Sequence, residues 1–299
     1  MRIVCIGECM IELSGAGEDL WRSGFAGDTF NTAWYARALM TGGTVDYVTT
    51  VGSDPLSERM LAFMASGGIG TDHITRHPSR VPGMYLITLK DGERSFTYWR
   101  DSSAARCLAD DPDAVAAAVD GADLVYLSGI TLGVLTADRR SALLDVLKGR
   151  NVAFDPNLRP RLWPDTATMC AAIMDAARVS KIALPSYEDE ADFFGDTDEM
   201  ATLQRYADAG ATEIVVKNGG GTMLVLADGD ITTIDPGPKV QPVDTTGAGD
   251  SFNGAYFSAR MAGLGPIEAA KAAHQMAARV ITHRGALMPM DLIRQETAA

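Results

Sequence analysis

The chain reads as an α/β protein built on a doubly wound, mostly parallel sheet, and three observations predict this. Short aliphatic or β-branched runs, "ADLVYLSG", "NVAFDPN", "VSKIALPS" and "TEIVVKNG", recur through its second half. Ala- or Leu-rich stretches of helical length separate them, the alternation expected when each strand returns through a helix. At 299 residues and 46% hydrophobic, the chain is long enough for a large core.

The elements follow in order. "RIVCIGECMIEL" reads as one buried strand, and "DTFNTAWYARAL" as a helix with Asp28 or Thr29 as N-cap. Between them, "SGAGEDLWRSGFAG" is Gly-rich and reads as irregular. "VDYVTTVG" is a second strand, and "PLSERMLAFMASGG" a helix stopped by glycines. From Val81 to Arg100 the pattern changes: "YLITL" and "RSFTYWR" alternate around "KDGE", with Asp91-Gly92 as the hairpin turn. "TMLVLADGDITTIDP" adds a late hairpin, and two Ala-rich helices, about Ala248 to Met261 and Pro266 to Thr282, close the chain. These elements predict one domain over 1–299, with a small β lid formed by about 12–26 and 81–100.

Composition excludes several roles. With 26 Lys and Arg against 39 Asp and Glu, the formal charge of −13 argues against a nucleic-acid surface. An anionic ligand would have to be met by locally placed Arg, Lys or backbone amides. Four scattered cysteines, Cys5, Cys9, Cys107 and Cys170, make neither a disulfide framework nor a zinc pattern. The start "MRIVCIGECMIEL" lacks the long apolar segment of a signal peptide, and no run reaches the roughly 18 apolar residues of a membrane span. The expectation is a cytoplasmic protein with no membrane partner.

Ligands of open parallel sheets bind beyond the carboxyl ends of the strands. Polar clusters fall there: Asp155 and Asn157, Ser186, Lys217 and Asn218, and the run "DTTGAGDSFNGA" from Asp244. In that run Gly247-Ala248-Gly249 can open a helix with its amides free to meet an anion. An acid at the same place, Asp250, would repel bound phosphate unless it serves another purpose, such as taking the proton of an attacking hydroxyl. The simpler reading of Asp250 is a first-turn acid complementing the helix dipole. Neither a Walker loop nor a G-x-G-x-x-G after the first strand occurs, which disfavours a P-loop kinase or a dinucleotide oxidoreductase.

"DTTGAGDSFNGAY" resembles the C-terminal signature of the ribokinase-like (PfkB) carbohydrate kinases, and "FAGDTFNTAWYARAL" their N-terminal Gly-rich segment. The likeness covers essentially the whole chain. "GECMIEL", "RSFTYWRDSSAA" and "DPNLRPRLW" resemble the branch of that family acting on 2-keto-3-deoxygluconate. The resemblance implies a ribokinase-like fold and phosphoryl transfer from ATP, with Mg2+, to the 6-hydroxyl of that sugar acid. It implies Asp250 as general base and the amides of Gly247, Ala248 and Gly249 as anion hole. Gly27, Asp28 and Asn31 then hold sugar hydroxyls, Tyr85, Tyr98 and Arg100 close over the keto acid, and Arg159 falls on its carboxylate and phosphate-side region. Ser186, Lys217, Gly219, Gly220, Gly221 and His274 fall on the ATP side. Relatives also use a monovalent cation, K+, at the place of Asp244 and Thr246, and the lid's exposed face implies pairing into a homo-oligomer.

Arg suits such a substrate on physical grounds, because its planar fork grips a carboxylate through two hydrogen bonds. The chain departs from the family at two points. "PSYEDE" has Ser186 where an Asn-x-x-Glu element has Asn, leaving Asp189 or Glu190 as the acid that organises metal, and Ala26-Gly27-Asp28 replaces the usual Gly-Gly pair. A ribokinase or fructokinase acting on a neutral sugar is the close alternative, and a sugar-binding regulator without turnover the more distant one.

Overall fold

The computed structural model describes residues 1–17, 19–90, 93–238 and 240–297. The Asp91-Gly92 turn therefore lies outside the described residues. The opening run is two strands rather than one: β1 (Arg2–Ile6) and β2 (Met10–Gly17) belong to different sheets. The break is at Gly7-Glu8-Cys9, where a Cβ on Gly7 would stand 2.2 Å from the Thr29 hydroxyl. Nor is the Gly-rich stretch irregular. It completes β2 and forms β3 (Leu20–Ala26), paired antiparallel with a register shift between Gly15 and Gly17. Backbone ladder bonds need no side chains, so apolar patterning could not reveal this hairpin.

α1 (Asp28–Leu39) starts from Gly27, not from a side-chain cap by Asp28 or Thr29. Asp28 is already helical, and its carboxylate takes a hydrogen bond from Asn157 instead. "VDYVTTVG" also divides, into β4 (Thr44–Val48) and β5 (Thr50–Val51), the latter paired with β6 (Thr75–Arg76) beyond α2 (Pro55–Ser66). Then come β7 (Met84–Lys90), β8 (Glu93–Trp99), α3 (Pro112–Val119), β9 (Leu124–Ser128), α4 (Gly129–Val134), α5 (Ala137–Leu147) and β10 (Val152–Asp155). They are followed by α6 (Thr166–Val179), β11 (Ile182–Ala183), α7 (Tyr187–Phe194), α8 (Glu199–Ala209), β12 (Glu213–Val216) and the hairpin β13 (Met223–Ala227) and β14 (Asp230–Ile234). α9 (Ala248–Met261), α10 (Pro266–Val280) and α11 (Met290–Thr297) end the chain. The short α4 and the last helix were not legible in the sequence.

The large sheet runs β14-β13-β12-β11-β10-β9-β1-β4, parallel from β4 to β12 and antiparallel through the hairpin. Alternate residues serve opposite faces. Ile3, Cys5, Leu124 and Tyr126 pack under α1, α9 and α10, while Val4, Ile6, Val125 and Leu127 pack under α3 to α6. Burial on both faces explains why these strands read as unbroken apolar runs.

β3-β2-β7-β8 form a separate four-stranded sheet, with β2 and β7 parallel. It is set against the large sheet at the strand ends of β1 and β10. α1 and α9 cross closely there: a Cβ on Gly254 would stand 2.6 Å from the Thr32 carbonyl oxygen, so the "FNGA" glycine sets how near the two helices lie. That approach brings the starts of both helices to one cavity.

Candidate active site

The cavity holds about 410 Å³ between the carboxyl ends of the large sheet and the small sheet. Its floor is the start of α9. Gly247 caps that helix at φ 79°, a left-handed conformation that favours glycine, and a Cβ there would also meet the Ala286 carbonyl oxygen at 2.8 Å. At Gly249 an added Cβ would approach only the Lys217 amine, at 3.8 Å, so the backbone lies open to a ligand. The first-turn amides of α9 carry the positive end of its dipole.

Asp250 belongs to that first turn and lines the cavity. Its Oδ2 accepts a hydrogen bond of 2.7 Å from Asn31 Nδ2, and Asn31 in turn takes the Gly27 amide on its Oδ1. Removal from water and the nearby Asp28 carboxylate push the Asp250 carboxyl up to about 7, while Asn31 and Lys217 pull the other way. Asp28 is raised too, chiefly by burial, against hydrogen bonds from Ser128 and Asn157. A carboxyl poised near neutrality and held at an anion-binding helix start can accept a hydroxyl proton beside a transferring phosphoryl group.

The wall behind it is a buried polar chain. Asp155, ending β10, accepts from Lys217 Nζ at 2.8 Å, Asn253 Nδ2 at 2.6 Å and the Asn157 amide at 3.1 Å. Lys217 follows β12 and also reaches Asn253 at 3.3 Å. Asn157 has φ 34°, an uncommon conformation for a side-chain-bearing residue, and its amide side chain holds Asp28 at 2.8 Å. Strain of this kind persists where surrounding bonds over-determine it.

From the small sheet come Tyr85 and Tyr98, their ring centres 5.7 Å apart, with Tyr85 bonded to Glu12. Arg100 follows β8 and is buried, and its Nε and Nη2 both donate to Glu8 Oε2. Arg159 lines the opposite wall, bonded to the Leu158 carbonyl and, at 3.2 Å, to Asp189. Ser186 and Asp189 line the cavity beside it. Glu190 does not. It is fully buried against Arg205 and Tyr206, which hold part of the rise that burial imposes on its carboxyl, to about 7. Of the two acids the sequence left open, Asp189 therefore faces the site.

Gly27, Asp28, Asn31, Tyr85, Tyr98, Arg100, Arg159, Ser186, Lys217, Thr246 and Gly247 to Asp250 thus converge on one cavity. Gly219, Gly220 and Gly221 do not line it; they form the turn after Lys217. His274 is also outside, half-buried in α10, with its imidazole pushed down by desolvation. Buried Asp244 accepts from Thr246 and from the Gly285 amide, tying the loop before α9 to the loop after α10.

Residue-type reasoning passed over Glu8, Arg161 and Asn253. Asn253 lies within the quoted signature, and Arg161 stands two residues beyond Arg159. Glu8 was signalled only as a charge inside an apolar run.

A glycine-opened helix start, a carboxyl raised to about 7 and an enclosing small sheet beyond the strand ends suit an enzyme that transfers a phosphoryl group to an alcohol. The chain belongs to the family described as pfkB family carbohydrate kinase, which matches residues 1–292. It is 41% identical over 302 residues to the 2-dehydro-3-deoxygluconokinase of Dickeya dadantii, covering 97% of each chain. Among solved structures, a PfkB protein from Polaromonas sp. JS666 superposes with a TM-score of 0.85 at 26% identity, over 100% of this chain and 99% of that one. A putative ribokinase II from E. coli in complex with ATP and Mg2+ has a TM-score of 0.83 at 21% identity, over 99% of both, a likeness of fold. The fold is ribokinase-like, and the chain is a carbohydrate kinase. Among the described residues, no helix is long and apolar enough to cross a membrane.

Proposed function

We propose that this carbohydrate kinase transfers the terminal phosphoryl group of ATP to the 6-hydroxyl of 2-keto-3-deoxygluconate. One observation carries the reading. The same cavity is lined by Asp250 beside Gly249, whose backbone is open to a ligand, and by Tyr85, Tyr98, Arg100 and Arg161 at the small sheet. That suits a substrate with a hydroxyl at one end and a carboxylate at the other, and the name of the Dickeya relative supports it.

Asn31 orients Asp250 by donating to Oδ2, so that its other oxygen can take the hydroxyl proton. The glycine-turn amides meet charge on the transferred group, and Lys217, held by Asp155 and Asn253, adds fixed positive charge nearby. Gly27, Asp28 and Asn31 hold sugar hydroxyls. Carboxylate oxygens are the donors Mg2+ takes, so Asp189 on the cavity wall would help hold it with ATP, and the metal would supply neutralisation of phosphate charge. The turn Gly219 to Gly221 and His274 mark the nucleotide side. A monovalent cation beside Asp244 and Thr246 would be revealed by activation with K+ over tetramethylammonium.

The small sheet acts as a lid. Its exposed Leu20, Trp21 and Trp99, at 64%, 49% and 52% accessible, offer a face for a second copy, testable by light scattering. For the substrate, ADP release is measured with the keto acid, ribose and fructose. A kcat/KM at least tenfold higher for the acid is expected; equal or better turnover of a neutral sugar would overturn the assignment.

A further inference from the structure

The cations around the cavity are, with one exception, matched within the protein. Lys217 is paired with Asp155, Arg159 with Asp189, and Arg100 with Glu8. Each of these cations already has its counter-ion before any ligand arrives. Arg161 differs. It lies in the short turn Pro160–Leu162 after β10, lines the cavity, and is not among the ion pairs of the described residues.

Its guanidinium instead lies over the Tyr98 ring, 4.4 Å from the centre. The Arg100 guanidinium stands 5.9 Å from the same centre. A guanidinium packed on an aromatic face keeps its plane fixed while its N–H groups remain free at the edge. That is a prepared two-pronged donor, and the cavity needs one for an anion.

We infer that Arg161 is the residue that selects for an acid substrate, receiving the carboxylate edge-on while Tyr98 holds its plane and Arg100 donates as an already neutralised neighbour. The inference rests on the sugar-acid reading above and gives it a residue. Arg161 comes from the large sheet's loop and Tyr98 from the small sheet, so the carboxylate would be gripped where the two units meet. A neutral sugar has no carboxylate to fill the Arg161 fork and forgoes that pair of charge-assisted hydrogen bonds, which favours the acid.

The test uses the full-length enzyme with MgATP and 2-keto-3-deoxygluconate, comparing wild type, Arg161→Ala and Arg161→Lys. Circular dichroism and thermal melts confirm that each variant folds, as expected at an exposed position. For Arg161→Ala, the KM of the acid should rise about 10- to 100-fold, with kcat within about threefold and the KM of ATP within about twofold. Arg161→Lys, which keeps the charge but not the fork, should fall between, and added guanidinium ion should lower the KM of the Ala variant. An acid KM unmoved by Arg161→Ala overturns the inference, as does a rise in the KM of ATP of equal size, which would put Arg161 on the phosphates. If wild type turns over no sugar acid, the functional reading fails first and takes this inference with it, whereas the other outcomes leave that reading standing.

Discussion

The two ends of the cavity are built on different terms. At the α9 end the polar side chains are held by hydrogen bonds: Asp155 holds Lys217, Asn253 and the Asn157 amide, and Asn31 holds Asp250. At the small-sheet end the side chains are long or aromatic and stack more than they bond, as Tyr85, Tyr98 and Arg161 do. The first arrangement fixes distances for a proton and a phosphoryl group. The second presents a surface whose charge and shape can change without disturbing them. The proposed function accordingly puts the chemistry on the large unit and the choice of substrate on the contact between units.

That division can be broken most sharply at Asp250. Asp250→Asn keeps the bond from Asn31 and removes basicity, so kcat should fall about 10²- to 10⁴-fold with the acid's KM changed only a few-fold. A near-normal kcat would make Asp250 a helix-start residue and erase the contrast. Lys217→Met should come next: stranding Asp155 within the buried chain should cost about 3 kcal/mol or more in urea unfolding. Tyr98→Ala at the other end should instead leave stability nearly intact and raise the acid's KM about tenfold, with kcat held.

pH sharpens the same comparison. Asp250 accepts a proton only when ionised, so kcat/KM should rise tenfold per unit below pH about 7 and level off above it, given its carboxyl near 7. Asp28→Asn removes the like charge that helps hold it there and should move that midpoint down. Stability runs the other way. A carboxyl raised from its ordinary 3.8 to about 7 favours the fold fully below the lower value, and the benefit is lost as pH rises through the higher one. Urea titrations at pH 6 and pH 8.5 should therefore show wild type losing more stability than Asp250→Asn across that interval. His274→Ala should have the smallest effect, a change within about twofold in the KM of ATP, because an outlying half-buried histidine supplies packing rather than charge.

The sequence made the large sheet legible because strands buried on both faces must be apolar throughout, and the Gly247 to Asp250 turn because its amides and acid are adjacent in the chain. What stayed hidden was long-range. "RIVCIGECMIEL" carries no mark of the change of sheet at Gly7, since both halves are equally apolar. The Gly-rich hairpin is held by backbone bonds that composition does not encode. Asp250 was readable as a candidate base, but its rise to about 7 comes first from burial by the whole fold and then from Asp28, 222 positions away in the numbering, and no local pattern contains either. Arg100 was expected to offer its charge to the substrate; Glu8, brought to it by the fold, had already taken it.

Glu8 and Arg100 also have a mechanical meaning. Glu8 sits where the chain leaves β1 for β2, and Arg100 where it leaves β8, so their bond spans the seam between the two sheets. Parting the two while either stays buried would leave an uncompensated charge, at a cost of several kcal/mol. The pair therefore ties the end of β8 to the turn between β1 and β2, so that one buried bond opposes detachment of the small sheet.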